Sequence, residues 1–116
     1  MQRNYKNLIV WQKSMDLVVE VYKLTEKYPS SELYGLTSQS KRCSISIPSN
    51  IAEGRLRGSD KEFFHFLSIS FGSGAELETQ IEIAKRLPFG KSLDFSRVDA
   101  LLEEVMKILS TILKKR

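Results

Sequence analysis

Apolar side chains recur at intervals of three and four residues in four separate stretches of this 116-residue chain. That spacing places them on one face of an α-helix, whereas a half-buried strand would alternate apolar and polar residues. No alternating stretch competes with the helical pattern, so the sequence predicts an all-α fold. The predicted helices cover residues 10–28, 35–54, 60–87 and 97–114.

The apolar stripes define the predicted core. The first helix carries two stripes side by side, which gives it an apolar face about 180° wide. The stripes comprise Trp11, Met15, Val18 and Tyr22 together with Leu17, Val21, Leu24 and Tyr28 on the first helix; Leu36, Ser40, Cys43, Ile47, Asn50, Ile51 and Gly54 on the second; Phe63, Leu67, Ser70, Gly74, Leu77, Ile81 and Ala84 on the third; and Val98, Leu102, Val105, Leu109 and Ile112 on the fourth.

Local signals separate the four helices. Pro29 ends the first, because the residue before a proline avoids the helical conformation. The third begins at Ser59-Asp60-Lys61-Glu62, a capping box in which the serine and glutamate side chains pair with free backbone amides, and Pro88 stops it. Short connections between long amphipathic helices are typical of antiparallel neighbours. We therefore expect one domain over residues 1–116, an antiparallel up-down-up-down four-helix bundle.

The stretch Ser46-Ile47-Pro48-Ser49-Asn50-Ile51-Ala52-Glu53-Gly54 interrupts the second helix from inside. Pro48 has no amide proton for the carbonyl of Ser44, and its ring crowds that turn, so helix two should be kinked at Pro48. The serines of this helix and the stretch Gly72-Ser73-Gly74 of the third helix are small. Small residues allow two helices to approach closely, so we expect a close crossing here.

Polar residues in and around this stretch form a candidate structural motif. Asn50 lies among isoleucines and therefore needs hydrogen-bond partners. At about 1.5 Å per residue from the turn between the helices, Arg42 should lie level with Glu76, which predicts an ion pair. The motif comprises Arg42, Ser46, Pro48, Ser49, Asn50, Glu53, Gly54 and Glu76. It either fixes the packing register of the bundle or serves a ligand or partner.

These residues resemble those of a known family, the 23S rRNA intervening-sequence proteins. The similar segments are Glu32-Leu33-Tyr34-Gly35-Leu36, Gln39, Arg42, the run from Ser46 to Gly54, Leu8, Val10-Trp11-Gln12-Lys13, Gly72-Ser73 and Glu76-Leu77-Glu78-Thr79. The resemblance covers about residues 8–87, and helix four is similar only in character. Gly74 departs from the pattern where a bulkier residue is expected, and Cys43 where alanine is usual.

The resemblance implies a bacterial four-helix bundle without catalytic activity, encoded in some relatives within insertions in ribosomal RNA genes. It also implies similarity to the accessory protein of diversity-generating retroelements, a pentameric barrel that binds RNA and a reverse transcriptase. A homo-oligomer, with a pentamer favoured, and an RNA or ribonucleoprotein partner are what the resemblance implies for this chain.

Side chains suited to catalysis or metal binding are sparse. His65 is the single histidine, and Glu62-x-x-His65 is half of the motif that di-iron bundles need twice. HEPN-type ribonucleases place an arginine four to six residues before a histidine, whereas seven residues separate Arg57 from His65. Cys43 lies on the apolar face, which is typical of an inert thiol. We predict no enzyme activity, cofactor, metal site or small-molecule substrate; a ribonuclease is the alternative that a His65→Ala variant would test.

Sequence features also favour a location. No stretch approaches the ~20 apolar residues of a membrane span, and residues 1–6 lack the apolar core of a signal peptide. The single cysteine forms no internal disulfide, which fits a reducing compartment. We expect a cytoplasmic protein with no membrane partner.

Basic residues collect at one end of the predicted bundle. The formal net charge is +4, and alternating helix directions bring the start of helix one, the end of helix two, the start of helix three and the end of helix four together. The candidate nucleic-acid-binding residues at this end are Arg3, Lys6, Arg55, Arg57, Lys61, Lys114, Lys115 and Arg116. The opposite end mixes basic and acidic residues.

Two interpretations of this basic end stay open. It binds RNA through phosphates without reading sequence, or its cations balance the C-terminal dipoles of helices two and four in a protein-interaction scaffold. Tyr5 is the one aromatic residue expected nearby, which gives base stacking little support. Surplus apolar residues on helix three, namely Phe64, Ile69, Phe71, Ile83 and Leu87, favour subunit contacts. A symmetric ring would repeat the basic end and strengthen weak phosphate contacts by avidity.

Overall fold

A computed structural model describes residues 4–116 and places four long α-helices along them: α1 (Ile9–Thr25), α2 (Ser38–Leu56), α3 (Asp60–Arg86) and α4 (Ser96–Leu113). Short 3₁₀ turns lie at Tyr5–Asn7, Ser30–Glu32 and Pro88–Ser92. The described part of the chain contains no strand. The predicted all-α class and the four helices are confirmed. None of these helices is both long enough and apolar enough to cross a membrane.

The connection between α1 and α2 differs from the prediction. Helix α1 ends at Thr25 rather than near residue 28, because the amides of Lys27 and Tyr28 donate to the carbonyls three residues earlier instead of four. Helix α2 begins at Ser38 rather than Gly35. A π-helical turn, Leu33–Thr37, precedes it, and Gly35 inside that turn has non-helical dihedral angles (φ −112°, ψ −113°).

The core lies between helices that are neighbours in sequence. Helix α2 packs against α1 and α3, and α4 packs against α3 and α1. Every residue of the predicted α3 stripe is buried, including Ser70 and Gly74. The fully buried large side chains are Leu17, Val21, Ile47, Ile51, Leu67, Leu77, Val105 and Leu109. The four-three spacing therefore identified most of the core correctly.

Only one of the two stripes predicted for α1 is buried. The buried stripe comprises Leu17, Val21, Leu24 and Tyr28. Along the other stripe, Met15 is 41% exposed and Tyr22 is 39% exposed. A helix that packs against two neighbours cannot bury a face 180° wide, so the second stripe lies at the outer edge of the α1–α2 contact. There it lines a shallow groove with Ile45 and Pro48.

Contacts between neighbouring helices follow a consistent order. Cys43, Ser46 and Ile47 of α2 contact Glu76, Ser73 and Ser70 of α3, respectively. Residue numbers therefore rise along α2 while their partners fall along α3. The ion pairs between α1 and α4 follow the same rule, since Lys13 meets Glu104 and Glu20 meets Arg97. Pro48 is buried within α2, and the kink expected there stays a prediction.

Candidate nucleic-acid interface

The turn between α2 and α3 positions three of the candidate basic residues. Arg55 and Arg57 lie at the end of α2, and Lys61 is the second residue of α3. Gly58 between them has φ +91°, a conformation that side chains other than hydrogen disfavour. Ser59 caps α3, because its Oγ accepts a hydrogen bond from the Glu62 amide at 3.2 Å. A three-residue turn thus holds these cations close together.

Each arginine of this turn lies over an aromatic ring of α3. The Arg55 guanidinium is 5.5 Å from the ring centre of Phe63, and the Arg57 guanidinium is 5.0 Å from that of Phe66. These distances allow cation–π attraction. From the sequence, only Tyr5 was expected near the basic end, and the contacts of Phe63 and Phe66 with the arginines were not predicted. The available signal was that Phe63 and Phe66 are three residues apart near the start of α3, just after the turn that carries the arginines.

The two arginines differ in their hydrogen bonds. Arg57 Nε donates to Glu53 Oε2 at 2.8 Å, one helical turn earlier. Arg55 Nε is buried and has no hydrogen-bond partner among residues 4–116. A buried donor without an acceptor is costly, so Arg55 is the arginine with unsatisfied hydrogen-bonding capacity.

The remaining candidates lie at three other chain segments. Lys6 belongs to the turn Tyr5–Asn7, which packs against α1 and α2. Lys114, Lys115 and Arg116 follow the end of α4 and are exposed. Among residues 4–116, no side-chain hydrogen bond joins Lys114, Lys115 or Arg116 to the arginines of α2. Arg3 lies outside the described residues.

Ion pairing differs between the candidate nucleic-acid-binding residues and the basic residues elsewhere in the bundle. Among residues 4–116, no carboxylate lies within 4.0 Å of Lys6, Arg55, Lys61, Lys114, Lys115 or Arg116, whereas Arg57 pairs with Glu53. Of the ten basic residues elsewhere in the bundle, five are paired within residues 4–116, namely Lys13, Lys23, Lys85, Arg86 and Arg97. Lys85 meets Asp99 at 2.7 Å, Arg86 meets Glu82 at 3.1 Å, and Arg97 meets Glu20 at 3.5 Å.

The polar motif of α2 makes its hydrogen bonds towards α3. Ser46 Oγ lies 2.8 Å from Ser73 Oγ, and Asn50 Nδ2 donates to both Ser46 O and Ser46 Oγ. Ser70 Oγ donates to the carbonyl of Ile47 at 2.9 Å. Gly54 provides further room, because a Cβ built there would lie 2.6 Å from Phe66 Cβ. These contacts bring α2 and α3 together at Ser46, Ser70, Ser73 and Gly54. Of the expected stretch Gly72-Ser73-Gly74 only Ser73 meets α2, because Gly74 lies against Met106 of α4 and Gly72 is exposed. Ser49 faces solvent.

The predicted ion pair between Arg42 and Glu76 is wrong. No ion pair within 4.0 Å joins them among the residues that the structure describes; Glu76 Oε2 instead lies 3.9 Å from Cys43 Sγ. The expected position of Glu76 along the helix axis was right, since Glu76 contacts Cys43, the residue next to Arg42. One residue is about 100° around a helix, and this rotation turns Arg42 away from α3 into a groove with Tyr34 and Ile45.

Cys43 is half-buried rather than fully buried. Burial raises the pKa of its thiol, and the Glu76 carboxylate raises it further. Gln80 Nε2 donates to Cys43 Sγ at 3.4 Å, which acts in the opposite direction on the pKa. Gly74 leaves room for the Met106 side chain of α4, so this departure from the family pattern has a packing role. Cys43 instead contacts Glu76 and Gln80 of α3.

His65 lies on the exposed side of α3, where its ring contacts the edge of Phe66 at 5.3 Å between centres. Within residues 4–116, no group of three histidine, cysteine, aspartate or glutamate side chains is arranged to hold a metal ion.

The family model described as 23S rRNA-intervening sequence protein matches residues 6–111 of this chain. A search of curated proteins found no match.

Proposed function

The chain belongs to the 23S rRNA-intervening sequence protein family, and on this premise we propose that it is a non-enzymatic protein that associates with RNA or a ribonucleoprotein through a basic end. The basic end comprises Lys6, Arg55, Arg57, Lys61, Lys114, Lys115 and Arg116, together with Arg3. The family's description refers to an intervening sequence of ribosomal RNA, which is a first support for an RNA partner.

The proposal depends on helices that alternate in direction, up-down-up-down. The opposite order of residue numbers in the α2–α3 and α1–α4 contacts supports this alternation. Between α3 and α4, Lys85 meets Asp99 while Gly74 lies against Met106, so the order is again opposite. Alternation brings the ends of α2 and α4 to the starts of α1 and α3. The basic residues then share one end of a rod that is 49 Å long.

Unpaired positive charge is the observation that carries the proposal. Six of the seven described cations of the basic end have no carboxylate within 4.0 Å in residues 4–116, whereas five of the ten basic residues elsewhere have one. A cation without a carboxylate partner keeps its full attraction for an external anion. Closely spaced phosphates of RNA are the polyanion that several such cations can neutralise together.

The expected mode of binding is contact with phosphates. Phe63 and Phe66 already lie under Arg55 and Arg57, so their faces are covered and do not offer stacking surfaces for bases. Arg55 has no carboxylate partner within residues 4–116, so its guanidinium charge is left for a phosphate, although its Nε is buried. Binding should therefore depend strongly on salt and weakly on RNA sequence.

A protein-interaction scaffold without nucleic-acid binding is the second candidate function. Exposed apolar side chains favour it: Tyr34 is 91% exposed, Leu33 50% and Ile45 42%. On this alternative, the cations of the basic end only offset the dipoles at the ends of α2 and α4. Salt-sensitive RNA binding distinguishes the two candidates.

We further propose that the protein is a cytoplasmic homo-oligomer. The family resemblance favours a pentamer. Exposed apolar residues on α1 and α3, including Val19 and Ile83, support subunit contacts. The environment of Arg57 supports the non-enzymatic part of the proposal, because its Nε is engaged by Glu53 rather than directed at His65.

The test measures the affinity for a fluorescein-labelled single-stranded RNA of mixed sequence across a salt series. One variant carries Arg55→Glu, Arg57→Glu and Lys61→Glu. A second, which breaks no ion pair, carries Lys61→Glu, Lys114→Glu and Lys115→Glu. The matched control reverses Lys23, Lys27 and Lys91, so it changes the net charge equally but away from the basic end.

We expect both basic-end variants to bind RNA at least about tenfold more weakly and with a shallower salt dependence, since each lost phosphate contact lowers the slope by about one. The control should bind as the wild type does. Equal affinity of all four proteins, or binding that salt does not affect, would contradict the RNA proposal. Cleavage of the RNA that disappears in His65→Ala would contradict its non-enzymatic part.

A further inference from the structure

A groove on α2 combines exposed apolar side chains with positive charge. It has a volume of about 500 Å³ and is formed by Leu33, Tyr34, Lys41, Arg42 and Ile45, with two small polar side chains between them. Leu33, Tyr34 and Ile45 are all at least 42% exposed. We call this region the cationic groove. Exposed tyrosine, leucine and isoleucine beside an arginine are typical of a protein contact surface.

No carboxylate balances the charge of the cationic groove. Its lining contains Lys41 and Arg42 and no acidic residue. Neither cation takes part in an ion pair within residues 4–116; Lys41 Nζ lies instead over the ring of Tyr22, at 4.6 Å from its centre. A partner that buries this groove must therefore supply both apolar surface and carboxylates, because a buried charge without a counter-charge is costly.

The opposite side of the bundle offers that combination. Two adjoining grooves on α3 and α4 are lined by four carboxylates, Glu78, Glu82, Asp99 and Glu103, and by two basic side chains, Lys85 and Arg86. Ile83, which is 44% exposed, lies among them. We call this region the acidic face. Its excess of two negative charges equals the two positive charges of the cationic groove.

The two regions lie at the same height along the bundle. Cys43 of α2 contacts Glu76 and Gln80 of α3, so the residues next to Cys43 are level with the segment 76–82. Lys41 and Arg42 therefore lie within about one helical turn, 5.4 Å, of the height of Glu78. The cationic groove is on α2 and continues towards α1 through Ile45, whereas the acidic face is on α3 and α4.

We propose that a second copy of this chain docks its acidic face into the cationic groove. This inference rests on the homo-oligomer proposed above and identifies its contact. A different surface from each copy meets in it, so the contact is heterologous and repeats from copy to copy. Because both surfaces lie at one height, successive copies stand side by side without displacement along the bundle axis. A ring requires this absence of axial displacement, together with a rotation between successive copies that closes.

Charge reversal on each side tests the contact by light scattering coupled to size-exclusion chromatography of the full chain. Lys41→Glu with Arg42→Glu reverses the cationic groove. Glu78→Lys with Glu103→Lys reverses the acidic face without breaking an ion pair of the described residues. The control variant carries Lys107→Glu and Lys91→Glu, two exposed lysines outside both regions. Circular dichroism checks that every variant keeps its helical content.

Each double reversal should reduce the assembly to monomers, because like charges would then face each other. In an equimolar mixture of the two double variants, each reversed surface meets a complementary one, so mixed assemblies larger than either variant alone should form. A ring of five cannot close by alternation, so these assemblies should contain equal numbers of the two variants. The control should keep the wild-type mass. An oligomer that neither reversal affects would overturn this contact while leaving the oligomer itself intact. A monomeric wild type would contradict the proposed oligomer as well.

The RNA assay separates the groove from the basic end. On our proposal, Lys41→Glu with Arg42→Glu weakens RNA binding only as far as dissociation of the assembly and the lower net charge explain. The monomeric acidic-face variant, which is more positive, should bind RNA no more weakly than the groove variant. A groove variant that keeps the wild-type mass but loses RNA affinity would assign the groove to RNA and overturn the inference.

Discussion

The hydroxyls of Ser46 and Ser73 lie 2.8 Å apart and join α2 to α3. Ser46 also accepts from the side-chain amide of Asn50, through both its hydroxyl and its carbonyl. Ser46 and Asn50 thus form one hydrogen-bonded group with Ser73 of the neighbouring helix. We expect this hydrogen-bonded group to contribute to the stability of the bundle.

Removing either hydroxyl should destabilise the bundle. We expect Ser73→Ala to lower the free energy of unfolding by about 1 kcal/mol, and Ser46→Ala by more, because Asn50 then loses a partner as well. Urea denaturation of both single variants and the double variant measures this. The double variant should cost less than the sum of the singles, since the two residues share one hydrogen bond. Simple additivity would show that the bond contributes nothing.

Two glycines should respond oppositely to alanine. At Gly54 a Cβ would lie 2.6 Å from Phe66 Cβ, so Gly54→Ala must push α2 and α3 apart and should cost about 1–3 kcal/mol. At Gly72, within α3, nothing lies within 4 Å of the added methyl. Gly72→Ala should therefore stabilise the protein by about 0.5–1 kcal/mol. Thermal unfolding of the two alanine variants and the wild type compares their stabilities. A Gly54→Ala variant that is more stable than the wild type would refute the close approach of α2 and α3 at Gly54.

Tyr28 should make the protein sensitive to alkali. Burial raises the pKa of its phenol to about 12, and Glu32 adds to the effect. The folded-state pKa exceeds the ordinary value of 10.0, so this contribution is complete below pH 10 and is lost as the pH rises through 12. At about 1.4 kcal/mol per pH unit, the loss approaches 2–3 kcal/mol. The free energy of unfolding, measured from pH 8 to 12, tests this loss of stability.

Tyr28→Phe provides the control for that titration. The Tyr28 hydroxyl is buried without a hydrogen-bond partner in the described part of the chain, so its removal should leave stability near pH 7 unchanged or slightly higher. The alkaline loss should become smaller in this variant. A loss of several kcal/mol at neutral pH would mean that the hydroxyl has an acceptor.

Cys43 should react slowly with iodoacetamide. The thiolate is the reacting species, and burial followed by Glu76 raises the thiol pKa, while the Gln80 hydrogen bond lowers it. Glu76→Gln should therefore speed alkylation at fixed pH, and Gln80→Leu should slow it. The pH dependence of the rate, compared with that of the urea-unfolded protein, measures the shift. Identical profiles for folded and unfolded chains would contradict it.

The sequence by itself determined where the helices form and which face of α3 is buried. The Phe63-to-Ala84 stripe is buried throughout, because a regular four-three spacing fixes one face of a helix regardless of its neighbours. The serines of α2 and Ser73 of α3 likewise identified a contact between these helices, whereas Gly74 lies against α4 and Gly72 is exposed.

Only the tertiary structure decided matters that depend on rotation about a helix axis and on the number of neighbours. It left Met15 and Tyr22 exposed, because α1 has two neighbouring helices rather than three. It turned Cys43 rather than Arg42 towards Glu76, and it placed Phe63 and Phe66 beneath Arg55 and Arg57. Sequence spacing gives height along a helix reliably, but the direction of a side chain between helices is set by how the helices pack.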